Sequence, residues 1–339
     1  MPTESKPMVT APGLMMDVPL GIGGILKHAL RNHAERRIVS RDGEEIVSFT
    51  YGDFGRRCAQ LAAALHGLGV RPGDRVASFA WNTHRHLELY YSVPSYGAIL
   101  HTANIRLFPD QVAYVIEHAD DKVIFVDASL TAVLAKAIEV RPAIASRTYV
   151  VMGKGDHSLP NAHDYEELIA SQPAEYDWPT LDEHDAAMLC YTSATTGEPK
   201  GALFSHRSTY LHALAANHAD YFSLSRRDAV LPVVPMFHVN AWGIPYGAAM
   251  AGAALVMPGR HLDGASVARL MNEERVTFSA GVPTVWLGLL QHLRASGERL
   301  ATVKRIVTGG SACPPLLIEA FGDEYGVEVQ HGWGMSELS

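Results

Sequence analysis

Short β-branched apolar runs that do not alternate with polar residues recur along this chain, and they limit its fold more than any other feature. Residues 75–80 (RVASFA), 123–127 (VIFVD), 148–152 (TYVVM), 187–191 (AMLCY), 254–257 (ALVM), 276–280 (VTFSA) and 303–308 (VKRIVT) read as strands. A strand that is apolar on both faces fits a parallel sheet covered by helices on each side. The segments between them carry helical spacing. Residues 51–68 put Phe54, Cys58, Leu61, Ala62, Leu65 and Leu68 on one face, and Gly69 follows as a stop. Residues 108–118 hold Pro109 in the first turn, where a missing N–H costs nothing. Residues 282–293 and 314–321 follow the same plan. Repeated β-α units imply right-handed crossovers, and 339 residues exceed one ordinary core. The expected fold is therefore α/β, with two packed, doubly wound βαβ subdomains. Residues 157–179 are polar and contain three prolines, which reads as a surface crossing between the first half and the hydroxyl-rich loop that begins at Thr192.

The apolar share of 47% and the charged share of 19% describe a well-buried globular protein. A formal charge of −8 argues against a nucleic-acid surface, and Arg56-Arg57, the nearest thing to a basic cluster, reads as a solvated helix face. Cys58, Cys190 and Cys313 share no CxxC spacing, so they read as small core hydrophobes in a reducing cytoplasm. No basic stretch followed by an apolar run opens the chain, so no signal peptide is expected. Residues 229–259 carry no formal charge and imitate a membrane span. Yet Pro232, Pro235, Pro245 and Pro258 interrupt them, with Gly243, Gly247 and Gly252 between, and lipid-facing backbone would be left unpaired there. His84-x-His86 lacks the cysteine or carboxylate neighbours of a structural zinc site. Two partial motifs also fail. Gly21-Ile-Gly23-Gly24 has no strand before it and Leu26 where a dinucleotide fingerprint needs glycine, and Gly334-Met-Ser336-Glu-Leu338 lacks the closing glycine of a nucleophile elbow.

One loop carries chemistry. After the apolar run AMLCY comes Thr192-Ser193-Ala194-Thr195-Thr196-Gly197-Glu198-Pro199-Lys200-Gly201, with a helix expected from about Arg207. Small residues let the backbone approach a polyphosphate, hydroxyls donate to its oxygens, and Lys200 supplies a positive charge. The spacing is not that of a Walker A loop. A bare hydroxyl-rich loop is ordinarily just a surface loop; the order YTS, TTG, PKG after a buried strand makes it a phosphate loop.

That loop resembles the one in the adenylate-forming superfamily of acyl-CoA synthetases, peptide-synthetase adenylation domains and firefly-type luciferases. Residues 235–242 (PMFHVNAW), 308–314 (TGGSACP) and 331–337 (HGWGMSE) are similar to the family's later motifs, in the family's order, and 49–54 (FTYGDF) to its opening segment. The wording FHVNAWG, AGVPTVW (280–286), GLMMDVPL (13–20) and LHTANIRLFPDQVAYVI (100–116) is similar to bacterial medium- and long-chain fatty acyl-CoA synthetases. Aryl-CoA ligases and peptide-synthetase domains are the alternative members, and a fragment that binds ATP or fatty acid without turnover is a second alternative.

The resemblance implies two steps. The carboxylate displaces pyrophosphate from ATP to give an acyl-adenylate, and the thiol of CoA then displaces AMP. It assigns Thr192, Ser193, Ala194, Thr195, Thr196, Gly197 and Lys200 to the phosphates, and Thr192 and Glu337 to Mg²⁺. Gly310, Ser311 and Ala312, with Gly332, Trp333, Gly334, Met335 and Ser336, would line the nucleotide pocket, Trp333 as the ring against adenine. His238 would stand beside the acyl carboxylate and Trp242 would gate the fatty-acyl tunnel, with Val239, Gly281, Gly309 and Gly310 around the substrate. Lys200, His238 and Glu337 are the residues expected at the chemistry. Gly243, Gly247, Ala248 and Gly252 would leave room for an alkyl chain. A homodimer is expected on the same ground.

Two departures stand out. Ala194 replaces the family's usual mid-loop glycine, at a cost of about 1 kcal/mol if that position needs positive φ. The family also continues past GWGMSE into a ribose-binding aspartate, a hinge and a small domain with an adenylate-contacting lysine. The chain is therefore expected to be an incomplete N-terminal AMP- and acyl-binding domain over residues 1–339, without the C-terminal lid domain and poorly active.

Overall fold

The computed structural model describes residues 16–192 and 198–338. In chain order, the helix α1 (Ile22–His33) precedes a hairpin of β1 (Arg37–Asp42) and β2 (Glu45–Thr50), then α2 (Tyr51–Gly67). A first winding follows: β3 (Arg75–Phe79), α3 (His84–Tyr96), β4 (Ile99–Thr102), α4 (Pro109–Ala119), β5 (Val123–Asp127), α5 (Thr131–Val140), β6 (Thr148–Met152), β7 (Ala162–Asp164) and α6 (Tyr165–Ala170). The strands β8 (Ala186–Tyr191) and β9 (Gly201–Ser205) and the helix α7 (His206–Ala216) lead into a second winding. It comprises β10 (Ala229–Pro232), α8 (Ile244–Ala251), β11 (Ala254–Met257), α9 (Gly264–Glu273), β12 (Phe278–Gly281), α10 (Pro283–Ser296), β13 (Arg305–Thr308), α11 (Pro315–Tyr325) and β14 (Glu328–His331).

Two seven-stranded sheets result, ordered β14-β13-β12-β10-β11-β1-β2 and β7-β6-β5-β3-β4-β8-β9. Each winding places its second strand on one side of its first and the rest on the other, so both are doubly wound. The α/β expectation of two subdomains is met. The sheets are not purely parallel, however: β2 and β9 pair antiparallel at the edges, β2 through a two-residue connection from β1 in place of a helical crossover. Nor are they consecutive in sequence, since β1 pairs parallel with β11. Residues 157–179 are more than a crossing; they form β7 and α6, which buries Tyr165 and Ile169. No helix among the described residues is long and apolar enough to cross a membrane. Cys58 and Cys190 are buried, while Cys313 is partly exposed.

Packed between the sheets, α3 has every residue buried. Burial without partners would be costly for its polar groups, and the partners are supplied. Arg57 on α2 grips Glu88 at 2.6 and 3.2 Å and Glu166 at 2.9 and 3.1 Å. Arg85 reaches Glu166 at 2.7 Å and Asp42 at 2.9 Å, and the Tyr165 hydroxyl donates to Glu88. Burial pushes the Glu88 carboxyl up, and Arg57 opposes that shift. His86 bonds Ser78 Oγ at 2.9 Å and the Trp81 carbonyl at 3.1 Å; burial lowers its pKa to about 4, so it packs as a neutral ring. Pro94 cannot donate to the carbonyl of Tyr90 four residues back, and the Tyr246 hydroxyl donates to that oxygen instead at 2.9 Å.

Removing one member of this network strands a buried charge. Arg57→Met should cost about 3–5 kcal/mol in urea unfolding at neutral pH, the range for breaking a buried pair. A loss below about 1 kcal/mol would mean the cluster behaves as a surface pair.

Candidate functional site

The carboxyl ends of β8, β10, β13 and β14 converge on one cavity of about 530 Å³. Clefts outside the carboxyl ends of doubly wound strands are where such sheets bind ligands. From β8 comes Thr192, and Ser193, Ala194, Thr195, Thr196 and Gly197 lie outside the described residues. The rims of that loop are tied together: Thr192 N–H donates to the Lys200 carbonyl at 2.9 Å and its hydroxyl to the same oxygen at 3.3 Å. The Lys200 side chain is exposed and does not line the cavity. At the end of β8, the Tyr191 hydroxyl meets His118 Nδ1 at 2.7 Å, and the Tyr191 ring lies 5.0 Å from that of His101, itself paired with Asp121 at 2.7 Å.

The far wall is built from glycines whose missing side chains are structurally required. A Cβ at Gly309 would sit 2.9 Å from the Gly332 carbonyl oxygen and 3.2 Å from the Trp242 ring. One at Gly332 would meet the Tyr221 hydroxyl at 2.9 Å. Gly310 takes φ +78°, turning the chain away after β13. Gly334, Met335, Ser336 and Glu337 complete this wall, Ser336 buried and Glu337 exposed in a short 3-10 turn, Ser336–Leu338. Trp333 stands at the mouth with 82% of its surface exposed, so its face is free to take a flat ring.

His238, Val239 and Trp242 form the third wall. His238 is extended and leads into a left-handed turn in which Val239, Asn240, Ala241 and Trp242 have φ of 37°, 41°, 53° and 55° before Gly243 at 72°. Each such non-glycine residue costs about 1–2 kcal/mol, a strain that tends to be kept where function needs it. Both polar atoms of the Asn240 side chain are buried there and find no partner among the described residues. Burial lowers the His238 pKa, and the Arg106 cation lowers it further, so the imidazole is neutral at pH 7.

The cavity thus gathers Thr192, His238, Val239, Trp242, Gly309, Gly310, Gly332, Trp333, Gly334, Met335, Ser336 and Glu337. Ser311 and Ala312 line a neighbouring groove between α10 and α11. Gly281 lies behind the wall, where a Cβ would be 3.0 Å from the Trp286 ring. The space expected at the glycines near α8 is occupied. Cβ atoms there would meet Ala213 at 3.3 Å (Gly243), the Asn217 carboxamide at 3.1 Å (Gly247) and the His33 ring at 2.5 Å (Gly252). His212, Tyr221, Thr308 and Leu338 also line the cavity, although the sequence assigns them no role. Thr308 and Leu338 adjoin recognised motifs, whereas His212 and Tyr221 carry no local signal.

In histidine-resolved NMR titration, His238 should titrate below the ordinary histidine range, and Arg106→Ala should raise its midpoint by removing a neighbouring cation. An unchanged or lowered midpoint in that variant would contradict the arrangement.

A family model described as AMP-binding enzyme matches residues 26–339. The chain is 44% identical over 332 residues to the 3-methylmercaptopropionyl-CoA ligase of Ruegeria lacuscaerulensis, covering 96% of this chain and 61% of that one. It is 46% identical over 332 residues to the medium-chain-fatty-acid–CoA ligase of Ectopseudomonas oleovorans, covering 96% and 60%. The chain therefore spans about three fifths of the length of these relatives. Its fold is similar to that of an anthranilate CoA ligase in complex with anthranoyl-AMP, with a TM-score of 0.85 at 22% identity over 95% of this chain and 61% of that one. With a motif-lined cavity at the strand ends and a family match over nearly its whole length, the chain belongs to the AMP-binding enzyme family.

Proposed function

We propose that this chain carries the carboxylate-activating site of an AMP-forming fatty acid–CoA ligase. In the first step a fatty-acid carboxylate oxygen attacks the α-phosphorus of ATP, forming an acyl-adenylate and releasing pyrophosphate. In the second, the thiol sulfur of CoA attacks the acyl carbon, AMP leaves and acyl-CoA forms. One observation carries the reading: a single cavity gathers a phosphate-loop hydroxyl (Thr192), a neutral imidazole (His238), a carboxylate (Glu337) and an open aromatic face (Trp333). On this reading residues 1–339 correspond to the N-terminal AMP- and acyl-binding part of such a ligase.

A carboxylate resists nucleophiles because it is charged and oxide is a poor leaving group. Adenylation needs positioning and charge neutralisation rather than a side-chain nucleophile. Lys200, at the loop's far rim, supplies a positive charge toward the leaving pyrophosphate. Thr192 and Glu337 both offer oxygen donors to the cavity, a set that fits Mg²⁺. When bound there, magnesium neutralises charge on the phosphate oxygens. Trp333 stacks on adenine, and Gly309, Gly310 and Gly332 let the backbone approach the nucleotide. His238, neutral at pH 7, donates a hydrogen bond to the acid without trapping it as an ion pair. Trp242, against Gly309, covers the acyl side.

A second reading is a short acid such as 3-methylmercaptopropionate. It is favoured by the 44% identical relative and by Ala213, Asn217 and His33 filling the space at Gly243, Gly247 and Gly252.

Acid-dependent ATP–pyrophosphate exchange separates these readings. Fatty acids between C6 and C18 should stimulate exchange most; preference for 3-methylmercaptopropionate, benzoate or amino acids would overturn the fatty-acid assignment. Lys200→Ala should lower the exchange rate by about 10² or more, as for loss of one donor to developing charge. Trp242→Ala should alter chain-length tolerance more than ATP affinity, and equal loss of both would assign Trp242 a purely structural part.

A further inference from the structure

The segment leading from β10 to His238 has irregular backbone, and side chains of α3, the turn before it and β8 meet several of its polar groups. Val233 and Val234 N–H both donate to the Ala280 carbonyl, at 2.8 and 2.7 Å. Pro232 and Pro235 have no N–H, so the segment cannot continue as an ordinary ladder strand. From there Asn82, in the turn between β3 and α3, takes over. Its Nδ2 donates to the carbonyls of Pro232 and Val234 at 2.8 Å each, and its Oδ1 accepts the Met236 N–H at 2.8 Å. The Tyr90 hydroxyl on α3 donates to the Met236 carbonyl, and the Cys190 thiol of β8 lies 4.0 Å from the Phe237 carbonyl. Asn82 is itself anchored, because its carbonyl accepts the Gly259 N–H at 2.9 Å beyond β11. All three side chains are buried.

We propose that Asn82 is a positioning residue for His238, setting the reach of the acid-facing wall on one sheet relative to Thr192 on the other. The inference rests on the carboxylate-activating reading of the cavity. A carboxamide is the group that suits this place: it donates twice and accepts once, matching the three main-chain groups within its reach. The last of them, Met236, is two residues from His238. Thr192 follows directly on β8, in the same sheet as β3, so the Asn82 contact spans the two walls between which acid and phosphate must meet. A displacement of about 1 Å at such a junction can cost about 10²-fold in rate, which gives a backbone-holding side chain leverage over chemistry it never touches.

Two variants test this in the full 339-residue chain. Asn82→Asp keeps size and the acceptor for Met236 but turns a second acceptor toward two carbonyls. Tyr90→Phe removes one hydrogen bond to the same segment while keeping the ring, and carries the test should Asn82→Asp not fold. In spectra of ring-labelled histidine, assigned with His238→Gln, the His238 signal should shift in both variants while that of surface His184 stays in place. Affinity for dodecanoyl sulfamoyl-adenosine, a stable acyl-adenylate mimic, should fall about 10-fold or more while AMP affinity changes less than about 2-fold. An unmoved His238 signal, or equal loss of both affinities, overturns the proposal. If the unsubstituted chain binds neither AMP nor the mimic, the carboxylate-activating reading fails, and the His238 signal still decides whether Asn82 positions it.

Discussion

The structure depends on α3, a helix with no solvent face. It sits between the two sheets, yet its first turns carry His84, Arg85, His86 and Glu88. A buried helix of such composition is stable only if its charges find partners. Arg57, Glu88, Glu166, Arg85 and Asp42 form a chain of ion pairs that ties α2, α3, α6 and the β1–β2 hairpin together. Buried ion pairs are poor sources of net stability, but breaking one is costly, so they specify one arrangement of the elements they join.

The cavity inherits that arrangement. Thr192 comes from β8 in one sheet, and the rest of the lining comes mainly from the ends of β10, β13 and β14 in the other. Neither sheet holds enough of the site alone. Close backbone approach sets the rest: Gly309 against Trp242, Gly332 against Tyr221, and a left-handed turn that presents His238 and Trp242 at the expense of local strain. Strain of this kind persists only where the surroundings over-determine it. Here Tyr90 of α3 and Asn82 in the turn before it hold the segment that leads into the strained turn.

Much of this is legible in the residues, for physical reasons. The runs 123–127, 148–152 and 254–257 coincide with β5, β6 and β11, because a strand covered on both faces needs uninterrupted apolar residues. α2 is bounded as its face and stop signal indicate, opened by a Thr50–Asp53 capping box. α3 is hidden for the opposite reason: fully buried, it has no polar face to give a period, and its charges resemble a surface segment. β14 and β9 are short edge strands with mixed faces, and the pairing of β1 with β11 joins segments far apart in the chain that no local pattern connects. At the site, contiguous motifs brought out Thr192, His238, Trp333 and Glu337. His212 and Tyr221 reach the cavity only through the path of α7 and of the loop between α7 and β10. The glycines around α8 suggest room for an alkyl chain, and sequence does not reveal that protein atoms fill the space beside them.

On the proposed reading, the two sheets that α3 joins form one nucleotide site. Hydrogen–deuterium exchange of the chain with and without ATP and magnesium tests this most directly. Slowed exchange is expected in residues 198–205 and in residues 308–338 of the opposite sheet, at the same ATP concentration. Protection confined to one of these segments, or appearing in neither, would contradict it.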